Sequence, residues 1–339
     1  MKSLKRGSRL ITLMISVFII GMIVLIAKIQ MEASFYISNS GSRNLGYIYD
    51  RNGDIIFDDN AENGQYPDGY FKDLGNLIGD ASGQMTNTLV AKNLEKLSNY
   101  SFTSGITYKG GKAAIYSTLS HEANEAVYSA FGDKDGCAIA YNYKTGEILV
   151  CVSRPSVDPL KGYEDLAEGS LLCKAFYKTV PGSTQKIATL ISAVETMGMD
   201  ALMEKSFTCN GVYTNNTGLD IVCHNEYGHG TQNIREAFAN SCNPFFAQLV
   251  EDSGWSLSDI EDCYKKLGYS VNGSEETEIS IDGIISSKAS TTLEDKNEFN
   301  TQWSCIGQGT SLVSPCQLMM WQSAIANESG KSTMPYLID

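Results

Sequence analysis

The chain has 339 residues, 42% hydrophobic and 19% charged, enough to bury one large core or two smaller ones and too apolar for a disordered or fibrous protein. Its formal net charge of −13 argues against nucleic acid, whose phosphates need a basic surface, and other polyanionic partners are not expected either. The first thirty residues differ in kind from the rest. Lys2, Lys5, Arg6 and Arg9 precede "LITLMISVFIIGMIVLIA", residues 10–27, which carries no charge. At about 1.5 Å per residue this run nearly matches a hydrocarbon core of about 30 Å. It is longer than the usual apolar stretch of a cleaved signal peptide, and no A-x-A-like site follows it. The expectation is a basic cytoplasmic tail over 1–9 and a single-pass anchor over 10–28. By the positive-inside rule everything after Lys28 lies outside the cytoplasm.

Residues 29–112 read as a small mixed region. Within it "GYIYDRNGDIIF" suggests two short strands around an Asn52-Gly53 hairpin turn. From 113 to the end a second domain is expected. It opens with a strand in "AAIYSTL", a helix in "HEANEAVYSAF", and a hairpin of "CAIAYNY" and "EILVCVS" joined at Lys144-Thr145-Gly146. Helical patterns follow at 183–198, 232–250 and 315–326, while the acidic, Ser/Thr-rich stretch 273–300 reads as solvated loops. The fold class is α+β, an antiparallel sheet with helices packed on it.

Nine cysteines at an extracytoplasmic address would ordinarily signal disulfides, but the number is odd and several sit in apolar runs, as Cys137 and Cys151 do. Cys209 and Cys223 bracket a turn-rich segment and form the one candidate disulfide. Cys223, His224 and His229 in "CHNEYGHG" invite a zinc reading, yet there is no C-x-x-C pair and the spacing fits no common site, so neither metal nor cofactor is expected.

Two short motifs carry chemistry. In "TVPGSTQKIATL", residues 179–190, a Pro181-Gly182 turn precedes a helix whose apolar stripe is Ile187, Leu190, Ile191 and Val194. Positions i and i+3 share a helix face, so Lys186 can reach the Ser183 hydroxyl. A serine hydroxyl attacks only once a base takes its proton, and a lysine serves as that base only where burial or nearby cations keep it neutral. A helix N-terminus also favours negative charge developing near Ser183. Alone, a Ser-x-x-Lys is expected about once by chance in such a chain, and a capped helix start explains Ser183 equally well. The second motif is Ser241-Cys242-Asn243, where Pro244 disfavours helix at Asn243 and starts a new one, placing the triplet at a break between helices. Ser-x-Asn recurs at Ser42-Arg43-Asn44 and Ser270-Val271-Asn272, so context must decide.

Four blocks supply that context: "YNYKTGEILVCVSRPSVDP", "CKAFYKTVPGSTQKIATLISAVE", "GHGTQNIREAFANSCNPFFAQL" and "IGQGTSLVSPCQLMMWQSAIAN". Their order and spacing resemble the penicillin-binding transpeptidases, most closely the class B type, over roughly residues 113–337. The resemblance implies a serine DD-transpeptidase of peptidoglycan synthesis. Its partners would be stem peptides ending in D-Ala-D-Ala, β-lactams as mimics of that dipeptide, and division or elongation machinery in the cell membrane. It further implies that Ser183 is the acylated nucleophile and Lys186 its proton-transfer partner, while Ser241 relays a proton to the leaving amine and Asn243 binds the substrate backbone.

The third family motif, K-T-G, should follow the "GQG" block on a sheet strand. There it would supply contacts to the substrate carboxylate and a backbone N–H for the oxyanion hole. The only Lys-Thr-Gly here is 144–146, ahead of Ser183, and Lys331 is followed by neither Thr-Gly nor Ser-Gly. Losing one oxyanion donor typically costs about 100- to 1000-fold in rate. The expectation is therefore a C-terminally truncated chain of doubtful activity, with a membrane-anchored, non-catalytic binding or scaffold protein as the alternative. Gly307-Gln308-Gly309 lacks the third glycine of a nucleotide loop and reads as a tight turn. Ser314-Pro315 with Gln317 reads as the cap of the last helix.

Overall fold

The computed structural model describes residues 2–31, 45–58, 72–98, 100–101, 105–106, 113–158, 161–275 and 277–339. Part of the expected 29–112 region, including Ser42-Arg43-Asn44, lies outside the described residues. The chain divides into two compact units that are not consecutive in sequence: Met1–Ser129 with Pro155–Leu172 and Leu337–Asp339, and Ala130–Arg154 with Cys173–Tyr336.

The first unit begins with helix α1, Lys2–Met31. Its stretch Ile11–Ile29 has a mean hydropathy of 2.5 and none of it is buried, so by length and composition it can cross a membrane. Strands β1 (Tyr47–Tyr49) and β2 (Ile55–Asp58) then pair antiparallel around the expected turn, with Gly53 at φ 89°. The Asp50 carboxylate closes that turn by accepting the backbone N–H of Asn52 at 2.7 Å and of Asp54 at 3.0 Å. Strand β3 (Ala114–Tyr116) adds to β1 in parallel, and helix α2 (His121–Ala130) leads on.

The second unit opens with the hairpin β4 (Gly136–Tyr141) and β5 (Ile148–Arg154), paired antiparallel, and Lys144-Thr145-Gly146 forms its turn as expected. Helix α3 (Lys186–Met197) follows a single 3-10 turn at Gly182–Gln185. Four short strands come next, β6 (Ser206–Cys209), β7 (Val212–Thr214), β8 (Asp220–Val222) and β9 (Gly230–Asn233), with β6 paired to β9 and β7 to β8. The helical pattern at 232–250 is broken into α4 (Ile234–Ala239) and α5 (Asn243–Glu251), with Pro244 in the first turn of the second. Helix α6 (Leu257–Lys266) starts with a reciprocal Ser256–Asp259 capping box.

Strand β10 (Tyr269–Val271) starts the segment where expectation and structure part. Residues 273–300 are not simply loops: they hold the hairpin β11 (Glu278–Ile281) and β12 (Ile284–Ser287) and the strand β13 (Ala289–Thr291). Asp282 and Gly283 both adopt positive φ, 50° and 90°, the requirement of a tight two-residue hairpin turn. Ile281, Ile284, Ala289 and Leu293 are buried, so the acidic composition of the segment masks an alternating apolar register. Helix α7 (Phe299–Ile306), strand β14 (Leu312–Val313) and helix α8 (Pro315–Ala326) complete the unit, and Ser314 caps α8 by accepting the Gln317 N–H at 3.1 Å. Pairing among the described strands is mostly antiparallel; β1 with β3 and β10 with β13 run parallel.

Helix α3 departs from its expected stripe. Ile187, Leu190, Ile191 and Val194 are only half-buried, whereas Gln185, Lys186, Ala188, Thr189, Ser192 and Ala193 are buried. Small and polar residues take the deepest face because α6 and α7 pack closely on it. Two of the hydroxyls are satisfied there: Thr189 Oγ1 donates to the Cys305 carbonyl at 2.5 Å and meets the Tyr264 hydroxyl at 2.8 Å, and Ser192 Oγ donates to the Ala188 carbonyl at 2.9 Å. The core of the unit gathers on α5, whose Phe245, Phe246, Ala247, Leu249 and Val250 are fully buried, with Phe207 edge-on to Phe245 at 5.1 Å. Replacing Phe245 by Ala should cost about 3–5 kcal/mol of stability. A denaturant titration checks this by a lowered midpoint, and an unchanged midpoint would show that α5 is not the centre of the core.

Candidate active site

The Ser183–Lys186 pair is built by a change of helix type. The 3-10 turn Gly182–Gln185 leaves Ser183 exposed at the surface, and the first residue of α3, Lys186, points inward at 1% exposure. The turn is anchored on two sides. The Gly182 N–H donates to the Gly307 carbonyl at 2.9 Å, and Thr179 exchanges backbone hydrogen bonds with Val313 at 3.0 and 2.9 Å. Gly307 is required here twice over: its φ is 108°, and a Cβ on it would lie 1.7 Å from the Gly182 carbonyl oxygen. The "GQG" turn thus braces the serine turn, a positional role that the tight-turn reading did not reveal.

The helix break supplies the rest. Ser241 adopts φ 51°, a strained conformation for a residue with a Cβ, between the end of α4 and the start of α5. That twist turns both its hydroxyl and its carbonyl toward Lys186. The lysine Nζ lies 3.0 Å from Ser183 Oγ, 2.8 Å from the Ser241 carbonyl, 3.0 Å from Ser241 Oγ and 2.8 Å from Asn243 Oδ1. The Asn243 amide is held in this sense because its Nδ2 donates to the Val222 carbonyl at 3.0 Å. The Phe246 ring lies 5.6 Å from Nζ and closes the apolar side. So Ser183, Lys186, Ser241 and Asn243, 60 residues apart at their extremes, form one hydrogen-bonded cluster. Beside Asn243 opens a cleft of about 410 Å³, lined further by Phe299, Asn300, Trp303, Gln308 and Gly309. A cavity of about 510 Å³ in the first unit contains none of these groups.

An ammonium has three protons and Nζ faces four oxygens, so the cluster suits the neutral amine as well as the cation. In the neutral form two N–H bonds are donated and the lone pair is left for the Ser183 proton. Burial lowers Lys186 from 10.5 to about 8, against a partial opposing effect of the Cys242 and Cys223 thiols. This is the condition under which a lysine works as a base near neutral pH.

The remaining sequence candidates fall elsewhere. Lys144-Thr145-Gly146 is a turn tied to its own hairpin, with the Lys144 and Thr145 N–H groups on Asn142 Oδ1 and the Thr145 hydroxyl on Glu147. Ser270 donates to the Ser274 carbonyl within its own turn. All nine cysteines are free thiols, the candidate pair Cys209 and Cys223 among them, although the sulfurs of that pair lie within 4.8 Å of each other.

Comparison with known proteins gives this arrangement its class. The family model for the penicillin-binding protein transpeptidase domain matches residues 136–339, and the chain belongs to that family. Stage V sporulation protein D of Bacillus subtilis is 32% identical over 204 residues, covering 59% of this chain and 29% of its own length. The peptidoglycan D,D-transpeptidase PbpA of Mycolicibacterium smegmatis is 27% identical over 259 residues, covering 70% and 50%. The chain thus spans half or less of the length of these relatives. Penicillin-binding protein A from M. tuberculosis, solved as a ceftriaxone acyl-enzyme complex, shares the fold with a TM-score of 0.72 at 19% identity, over 89% of this chain and 73% of that one.

With Lys186 at about 8, the rate at which a penicillin modifies the protein should climb about tenfold per pH unit below that value and level off above it. Stopped-flow measurement across the range checks this, and a flat profile would rule out Lys186 as the base.

Proposed function

We propose that this protein is a peptidoglycan D,D-transpeptidase that works through an acyl ester on Ser183. The observation that carries the reading is the desolvated Lys186 amine held at 3.0 Å from both Ser183 Oγ and Ser241 Oγ. In this mechanism the Ser183 oxygen attacks the carbonyl between the two D-alanines while its proton passes to the Lys186 lone pair. Collapse of the tetrahedral adduct breaks the C–N bond, and the departing amine takes a proton relayed from Lys186 through the Ser241 hydroxyl. An acceptor amine from a second stem peptide then attacks the ester, its surplus proton returns along the same path, and Ser183 regains its hydrogen. A β-lactam follows the first half only: ring opening leaves the amine tethered, and the ester persists.

Asn243 has the role of orienting the donor peptide beside the cleft formed with Trp303 and Phe299, and of holding Lys186 through its Oδ1. A purely scaffolding protein has no use for a lysine desolvated against an exposed serine, so the geometry favours the catalytic reading. Helix α1 is the anchor in this reading. The basic residues ahead of it face the cytoplasm, the catalytic unit faces the wall, and the wall-synthesis machinery of division or elongation is the setting.

The test is peptide mass mapping after treatment with penicillin G. A penicilloyl adduct is expected on the peptide carrying Ser183, formed slowly without a K-T-G strand beside the serine, and none in Ser183→Ala, with a further loss of at least about 1000-fold in labelling rate for Lys186→Ala. Equal labelling of Ser183→Ala would refute the assignment.

A further inference from the structure

Directly behind the Ser241–Asn243 break lies a group that joins Cys223 and His229 of "CHNEYGHG" to two further cysteines and leaves His224 out. The sulfurs of Cys209, Cys223 and Cys242 and a ring nitrogen of His229 all lie within 4.8 Å of one another. The three cysteines are buried, at 1%, 5% and 0% exposure. We propose that these four residues bind one zinc(II) ion, as a closed Cys3His centre that fixes the S-x-N break in place.

The donor set is the argument. Three thiolates and one imidazole make a four-coordinate tetrahedral site with no position left for water, which is the pattern of structural rather than catalytic zinc. With Zn–S bonds of about 2.3 Å, tetrahedral ligands stand about 3.5–3.8 Å apart. The Cys223 sulfur and His229 Nδ1 already stand at 3.5 Å, and the rest need to close by about 1 Å at most. A disulfide would use two of the three sulfurs and leave the third buried thiol and the half-buried imidazole with no shared function. The metal uses all four.

The surrounding backbone is shaped to bring these donors together. Cys209 ends strand β6, and its carbonyl accepts the His229 N–H at 3.0 Å, which sets two ligands side by side. Cys223 follows β8 and donates its N–H to the Gly211 carbonyl at 2.8 Å. The loop between Cys223 and His229 passes so close that a Cβ on Gly228 would lie 2.2 Å from the Cys209 carbonyl oxygen, and one on Gly211 would lie 2.1 Å from that of Glu226. Gln232, at 3% exposure, has a buried Nε2 with no conventional partner and lies against the Cys242 sulfur, which as a metal-bound thiolate would accept its hydrogen.

The consequence for the active site is positional. Cys242 is the middle residue of the triplet whose two flanking side chains hold Lys186, so a metal on its sulfur pins the strained Ser241 backbone from behind. Zinc is not assigned any part in the acyl transfer, and the site stands whether or not Ser183 is acylated.

The experiment is elemental analysis of the full chain purified in detergent without chelators, with cobalt(II) substitution as its second arm. About one zinc per chain is expected. It should be lost in Cys223→Ser and in His229→Ala, and retained in Cys263→Ser, a buried thiol outside the group. Should the ligand variants fail to fold, the wild-type chain loaded with cobalt(II) decides the matter. The intense ligand-field bands of tetrahedral cobalt with thiolate charge transfer support the site. A wild-type chain that holds no zinc and gives no tetrahedral cobalt spectrum overturns it, as does a Cys209–Cys223 disulfide found by mass analysis in the purified protein.

Discussion

The arrangement of the second unit turns on one ammonium taken out of water. Lys186 is buried at 1% exposure, and stripping a charged lysine of its solvent is costly unless polar atoms replace that solvent. Four oxygens do so at 2.8 to 3.0 Å, and they arrive from two places in the sequence, the 3-10 turn before α3 and the break between α4 and α5. The break is therefore not a defect in a long helix. A continuous helix through 240–243 would keep the Ser241 carbonyl in its own hydrogen-bond ladder, and the positive φ at Ser241 is what releases it to the lysine. The hydrogen bonds that Ser241 accepts from the buried amine offset part of both costs, the backbone strain and the burial of Lys186, which is why the two features occur together.

Seen from this centre, the supporting parts fall into order. The Gly307 turn seats the backbone of the serine turn, the Val222 carbonyl sets the Asn243 amide, and the aromatic packing of α5 keeps Phe246 beside Nζ. Each acts on the position of one of the four cluster residues. The proposed metal would do the same for the break itself, through Cys242.

Much of this was legible in the chain. The Asn52-Gly53 and Lys144-Thr145-Gly146 turns follow from residue types that tolerate positive φ, and Pro244 announced the helix break. The four cluster residues could be named only because the surrounding blocks resemble a known family; the tripeptides themselves occur by chance. Two features were hidden. In 273–300 the abundance of acidic and hydroxyl residues concealed the shared apolar face of Ile279, Ile281 and Ile284 and the Asp282-Gly283 turn between the strands. The cysteine–histidine group was hidden for another reason: its ligands come from three separate elements, so no pairwise spacing in the sequence encodes it. The same non-local origin explains why the apolar stripe of α3 misjudged its deepest face, which neighbouring helices chose by fit rather than by hydrophobicity.

The central claim is that burial holds the Lys186 amine close to neutrality, and the most direct test is its own titration. Lysines labelled with 13C at Cε can be followed by NMR through a pH series, and Lys186→Arg identifies the resonance that belongs to the site. The account predicts a lysine signal with a midpoint near 8 that is absent from Lys186→Arg. A Lys186 resonance titrating at the ordinary value of 10.5 would contradict it.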